Sequence, residues 1–157
     1  AGYNQRMTDI QASLGAAQMS RADAIVAERR RLAARYDEAF AELHWLRTPV
    51  HMDGFLHGYQ SYPCLFMPEP ITPESISRIN EKRNAWMDKL QQSGISTRPA
   101  THAVHMLTFY RDKYDLKPND FLNAWAANDC SISLPLFHGM TEEEQDFVIQ
   151  KVRETQV

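Results

Sequence analysis

What this chain has little of bounds it first. Two cysteines in 157 residues, Cys64 and Cys130, are too few for a disulfide framework. Both fall in strand-like runs, so they read as buried free thiols of a reducing, cytoplasmic compartment. No apolar run approaches the ~20 residues that span a bilayer, and the start carries no signal peptide. Neither sign of charge dominates: 17 Lys and Arg stand against 20 Asp and Glu, for a net −3. That balance argues against a nucleic-acid surface, which calls for a basic face. The longest basic run, Arg29-Arg30-Arg31, lies in a helical pattern near Glu28, Asp37 and Glu38 and reads as a solvated helix face.

Catalytic signatures are equally sparse. There is no glycine-rich phosphate loop. Adjacent carboxylates occur in Glu142-Glu143-Glu144, where they favour a helix N-terminus. His102 and His105 stand close together, but Cys64 and Cys130 are far from them in sequence, so no metal site is expected. Cys64 sits in a strand rather than at a helix N-terminus, which leaves its thiolate without support as a nucleophile.

What is present is the balance of a soluble globular domain: 43% hydrophobic and 24% charged residues. Thr8-Asp9-Ile10-Gln11 is a capping box that starts a helix running to about Met19. Ser20-Arg21-Ala22-Asp23 offers a second cap, so the first helical region is expected to bend. Beyond it Ile25, Leu32, Tyr36, Ala39, Phe40 and Leu43 share one face. Strands are expected over Trp45–Pro49 and Tyr59–Met67, the latter with Gln60, Tyr62, Cys64 and Phe66 on one side. Pro63 inside that run predicts an edge position or a bulge. Thr72-Pro73 predicts a helix start, Ile76, Ile79, Trp86, Met87 and Leu90 its inner face, and Gly94 its end. A short strand is expected over Ile95–Pro99, irregular chain from Ala100 to Pro118, a helix from Asn119 to Asn128, a strand over Cys130–Leu134, and a last helix from the Thr141 box to about Glu154.

This order predicts an α+β fold: a two-layer small domain whose small, mainly antiparallel sheet is covered by helices. A long bent helix precedes it. The expected division is a helical connector over residues 1–43 and a small C-terminal α/β domain over 44–157. The chain opens on Ala1 and a complete motif follows at once, which reads as a piece of a longer protein.

A polar set remains without a structural duty. Asn4 and Arg6 precede the first helix; Gln60, Ser61 and Tyr62 open the second strand; Arg98, Thr101, His102 and His105 lie in a loop. Arginine grips phosphate or carboxylate through two parallel hydrogen bonds, and the others bind hydroxyls and oxyanions. The residues alone imply a site for something anionic or polyhydroxylated.

Three blocks resemble the C-terminal region of the DegT/DnrJ/EryC1/StrS aminotransferases. They are Gly2-Tyr3-Asn4-Gln5-Arg6-Met7-Thr8-Asp9-Ile10-Gln11-Ala12-Ser13-Leu14-Gly15, Gly94-Ile95-Ser96-Thr97-Arg98-Pro99 with His105-Met106-Leu107-Thr108-Phe109-Tyr110, and Ile132-Ser133-Leu134-Pro135-Leu136-Phe137-His138-Gly139-Met140 with the glutamates that follow. The resemblance implies the aspartate-aminotransferase type of fold and a homodimer. It also implies pyridoxal 5′-phosphate (PLP) as cofactor, and transfer of an amino group, usually from glutamate, to a nucleotide-linked keto-sugar. It places the PLP lysine upstream of Gly2, so Lys82, Lys89, Lys113, Lys117 and Lys151 are assigned no Schiff-base role, and the isolated chain is expected to be inactive. By the same resemblance Asn4 reaches the cofactor phosphate of the other subunit, Arg6 lies near it, and Tyr62, Arg98, His102 and His105 lie by the substrate. Gln5, Gln60 and Ala100 depart from residues common in the family, which leaves the identity of the sugar open. A non-catalytic binding or assembly domain and a sugar dehydratase of the same family are the alternatives.

Overall fold

The computed structural model describes residues 6–155. Their order is α1 (Asp9–Met19), α2 (Ala22–Phe40), β1 (Leu46–Arg47), β2 (Tyr62–Phe66), α3 (Ile76–Gln92), α4 (Thr108–Tyr114), α5 (Leu122–Cys130), β3 (Ser131–Leu134) and α6 (Glu142–Glu154). The sheet runs β1-β2-β3 and is antiparallel throughout, with Leu46 opposite Phe66 and Cys64 opposite Ile132. The fold is the expected small α+β unit with helices over one small antiparallel sheet.

Alternation along β2 buries Tyr62, Cys64 and Phe66 on one face. Aromatic rings fill the layer above it: Tyr36 lies 4.9 Å from Tyr62, and Trp86 packs on both Phe66 and Trp45 at 5.4 and 5.2 Å. The apolar stripe of α2 delivers Leu32, Ala33, Tyr36 and Phe40 to this core, although those residues fall in the segment expected to be a connector. Helix α6 closes the far side with Val148 and Val152, and its buried Gln145 donates to the Leu32 carbonyl at 2.7 Å. Cys64 and Cys130 are buried free thiols; burial pushes Cys130 up to about 11 and Cys64 further.

Several boundaries differ from the sequence reading, each for a physical reason. The bend between α1 and α2 is present, but Arg21 caps α2 without a side-chain bond. Helix α3 begins at Ile76, not at Thr72-Pro73, because Ser75 is tied back: its hydroxyl donates to the Pro70 carbonyl and accepts from the Thr72 N–H, both at 2.8 Å. Gly94 does end α3, at φ +84, with Ile95 N–H returning to the Leu90 carbonyl and Gly94 N–H to Gln91, a left-handed cap that favours glycine. The inner face of α3 also buries Arg83, which donates to the Ser131 carbonyl at 3.0 Å while its Nε has no partner. Burial pulls this guanidinium down from its usual range, against the opposing pull of Asp129 and Cys130.

The stretch from Ala100 to Pro118 is not irregular throughout: it holds a short 3-10 turn and then α4. Leu107 gives α4 no side-chain cap and none of its residues is buried, so neither a start signal nor an inner stripe marked it. Likewise α5 starts at Leu122 rather than Asn119, after a 3-10 turn in which the Lys117 N–H bonds Asp120. The Ile95–Pro99 strand is reduced to one bridge, Arg98 opposite Ser133.

Pro63 does not mark an edge strand, since β2 is central. Met67 N–H reaches the Trp45 carbonyl, so residues of that parity in β2 point their polar groups toward β1. Pro63 shares the parity, but β1 stops pairing at Arg47, and Ser133 opposite Pro63 sends its own N–H to Arg98. The missing N–H of Pro63 is therefore never called on.

Candidate functional site

A cleft of about 330 Å³ opens where the start of β2, the end of β3 and the Arg98 bridge meet. Gln60 and Ser61 form one wall, Ser96, Thr97 and Arg98 the other, and Ser133 the floor. No carboxylate lines it, so the exposed Arg98 side chain sets its sign. Hydroxyls, an amide and one guanidinium are groups that bind phosphate, carboxylate or sugar oxygens. A larger groove of about 780 Å³ between Arg47, Leu65, Met67, Ile71 and Leu122 is mostly apolar. Its Glu69 is already held by Arg78 and Lys82, and these bonds, led by that from Arg78, pull the Glu69 carboxyl down to about 2. The smaller cleft carries the usable chemistry.

The backbone fixes its walls. Arg98 is pinned by its carbonyl, which accepts from Ser133 N–H at 2.8 Å, while the residue itself lines the cleft and stays exposed. The loop beyond continues along β3 and α5: Ala100 N–H donates to Ser131 Oγ at 3.2 Å and Ala103 N–H to Asn128 Oδ1 at 2.9 Å. Tyr36 supports Pro135 beside the cleft through a 2.9 Å bond from its hydroxyl.

Behind the opposite wall the buried Tyr59 adopts φ +45, a left-handed conformation that costs a bulky residue about 1–3 kcal/mol and persists only where its surroundings impose it. The contacts that impose it come from α2. Arg29 donates to the carbonyls of Tyr59 and Gln60 at 2.8 and 2.9 Å, and Arg30 donates to that of His57 at 2.9 Å. Arg29 and Arg30 are thus a latch on the loop, while Arg31 keeps to the solvated face that the run's charges suggested, paired in the open with Glu142. Further along the helix Asp37 accepts from the Tyr62 hydroxyl at 2.5 Å, and its other oxygen lies 2.9 Å from His51 Nε2. Burial, then Cys64 and Asp37, drive the Tyr62 phenol far above its usual range, so it stays a neutral donor.

Of the residues singled out in the sequence, Arg98 meets Gln60 and Ser61 in this cleft. Tyr62 points the other way, into the core, with its hydroxyl on Asp37. His105 is buried under its loop, Nε2 lying 3.2 Å from the Pro118 carbonyl and its ring 5.1 Å from Phe121. His102 is exposed on the same loop outside the cleft lining, Arg6 is exposed at the start of the described chain, and Asn4 lies outside the described residues. The sequence reading missed Arg29 and the left-handed Tyr59; nothing in a tyrosine announces a positive φ, and the arginine gave only a charge.

Residues 1–153 match the profile of the DegT/DnrJ/EryC1/StrS aminotransferase family. The chain belongs to this family. It is 32% identical to the spore coat polysaccharide biosynthesis protein SpsC of Bacillus subtilis, over 98% of this chain and 38% of that protein. It is 30% identical to the GDP-perosamine synthase of Escherichia coli O157:H7, over 98% and 37% respectively. The sugar aminotransferase Spr1654 of Streptococcus pneumoniae, solved in a PLP form among others, superposes with a TM-score of 0.81 at 24% identity, covering 96% of this chain and 36% of that one. This family member therefore spans under two-fifths of the length of these relatives. Among its described residues no helix is long and apolar enough to cross a membrane.

Proposed function

We propose that the full-length enzyme containing this chain is a PLP-dependent sugar aminotransferase. It moves an amino group from an amino acid, glutamate by the family resemblance, to a nucleotide-linked keto-sugar, and it acts as a homodimer in the cytoplasm. The observation that carries the reading is the carboxylate-free cleft, with Arg98 facing Gln60 and Ser61, in a chain of this family. In this reading Arg98 pairs with substrate phosphate through its planar fork, and His102, on the same loop, extends the polar rim. Tyr62 and His105 serve the substrate from behind, as buried supports of the two walls. Asn4 and Arg6 serve the cofactor phosphate of the partner subunit.

PLP supplies the electron sink for amino transfer when bound. The lysines described here do not fit its covalent anchor: Lys82 pairs with Glu69, Lys151 with Glu154, Lys113 lies over the rings of Phe109 and Tyr114, and Lys89 and Lys117 are exposed outside the cleft. We place the anchor in the part of the enzyme beyond these residues, and accordingly expect the chain alone to be inactive. What the chain contributes is binding and orientation of the acceptor.

The test is Arg98→Ala in the full-length enzyme, with the two half-reactions measured separately. A lost bond to a charged group is worth about 1.5–3 kcal/mol, so KM for the keto-sugar should rise tenfold or more at little change in kcat, about tenfold per 1.4 kcal/mol. The amino-donor half-reaction and PLP content should stay as they were. An untouched keto-sugar half-reaction would remove the cleft from the substrate site.

A further inference from the structure

The wall formed by Gln60 and Ser61 is aimed from behind. One guanidinium nitrogen of Arg29 accepts no role in the cleft itself; it donates to two successive carbonyls, Tyr59 at 2.8 Å and Gln60 at 2.9 Å. Two successive carbonyls converge on one nitrogen here, and the first belongs to the residue held at φ +45. Every other polar group of Tyr59 is also engaged: its N–H donates to His57 Nδ1 at 2.9 Å, and its hydroxyl lies 3.0 Å from His51 Nε2. Arg30 fixes the approach to the turn at the His57 carbonyl. Such over-determination of a strained residue directly before a site wall is the pattern of a residue held for what its neighbours must do. Those neighbours are Gln60, exposed, and Ser61, half-buried, both facing Arg98 across the cleft.

We propose that Arg29 is a positioning residue of the substrate cleft, fixing the aim of Gln60 and Ser61 through the left-handed Tyr59. The inference rests on the reading of the cleft as the keto-sugar site. An arginine suits the task because its cation strengthens both bonds to carbonyl oxygen, and its plane fixes their direction. A lysine ammonium at the same place restores the charge without the plane. Arg31, two residues along α2, is the matched control, since it makes an exposed ion pair with Glu142 away from the cleft.

The experiment compares Arg29→Ala, Arg29→Lys and Arg31→Ala in the full-length holoenzyme, with keto-sugars linked to UDP, dTDP and GDP as acceptors. For the acceptor that the wild type uses, Arg29→Ala should raise KM roughly tenfold, as a small misplacement of binding groups does, with kcat within about twofold. Arg29→Lys should recover part of the loss, and Arg31→Ala should match the wild type. The amino-donor half-reaction should not change in any variant. Without substrate, amide hydrogen exchange should quicken at residues 59–61 in Arg29→Ala and remain unchanged in α3 and β3. An unchanged acceptor KM overturns the proposal, as does an equal loss in both half-reactions accompanied by a lowered Tm. Should the alanine variant not fold, Arg29→Lys decides alone by the same split: a raised acceptor KM with an intact amino-donor half-reaction supports the proposal, and parity with the wild type overturns it. A wild type that turns over none of the sugars sinks the reading of the cleft and this proposal with it. A wild type that turns one over while Arg29→Ala equals it sinks the positioning role alone.

Discussion

Helices α1 and α6 begin with the same device and meet opposite fates. In α1 Thr8 Oγ1 accepts from Gln11 N–H at 3.3 Å and Gln11 Oε1 accepts from Thr8 N–H at 3.0 Å; in α6 Thr141 and Glu144 repeat the exchange at 3.1 and 2.9 Å. Yet α6 buries Gln145, Val148 and Val152, while α1 buries nothing. The apolar residues of α1 have helical spacing too, but Ile10 is 83% and Leu14 64% exposed. A capping box states where a helix starts. Whether the helix joins a core depends on a complementary face, which α2 offers to α6 and no described element offers to α1.

Truncating one side chain in each region separates the core from α1 by the widest margin. Phe40→Ala at the end of α2 should cost about 3–5 kcal/mol, the usual range for emptying a buried aromatic site. Ile10→Ala in α1 should stay within about 0.5 kcal/mol, as exposed positions do. Chemical denaturation of the 157-residue chain measures both, and comparable losses would mean that α1 packs on the core.

The two caps differ in the same direction at a smaller scale. Thr141→Ala should lower global stability by about 1 kcal/mol, the ordinary worth of an N-cap. Thr8→Ala should reduce far-ultraviolet helical signal and speed amide exchange over residues 9–12 without moving the unfolding midpoint. A shift of that midpoint equal to the one from Thr141→Ala would erase the distinction.

The smallest expected effect concerns the thiols, which belong wholly to the core. Alkylation of Cys64 and Cys130 at pH 8 should be slow in the native chain, should follow global unfolding in denaturant, and should be indifferent to Thr8→Ala. Burial raises the Cys130 pKa from 9.0 to about 11, so the fold favours the neutral thiol. The stability this provides is present in full below pH 9 and declines as pH rises from 9 through 11. Fast labelling below that window would place a thiol at the surface.

Local rules made much of this fold legible. Both threonine boxes, the bend before α2, the Gly94 cap and the buried alternation of Tyr62, Cys64 and Phe66 follow from residue type and spacing alone, although Gln60, expected on the same side, is exposed and precedes the strand. What escaped was decided by tertiary partners. Helix α4 has no cap and no inner stripe, so nothing local marks it. Arg83 hides on the buried face of α3 because a carbonyl 48 residues away receives it. In the cleft, Arg98 was visible as an arginine in a loop, but its meeting with Gln60 and Ser61 depends on one bridge to Ser133. The Arg29 latch joins residues 30 positions apart and could be read only as charge.

Pro63 has a consequence for the company this molecule keeps. Beyond Arg47 no described strand pairs with the flank of β2 that faces β1, the kind of margin on which an added strand docks. The ladder there would begin at position 63, and a proline offers an incoming strand no hydrogen to hold. The residue that looks out of place in a central strand stands at the one position of β2 on that flank where no described strand asks for an N–H.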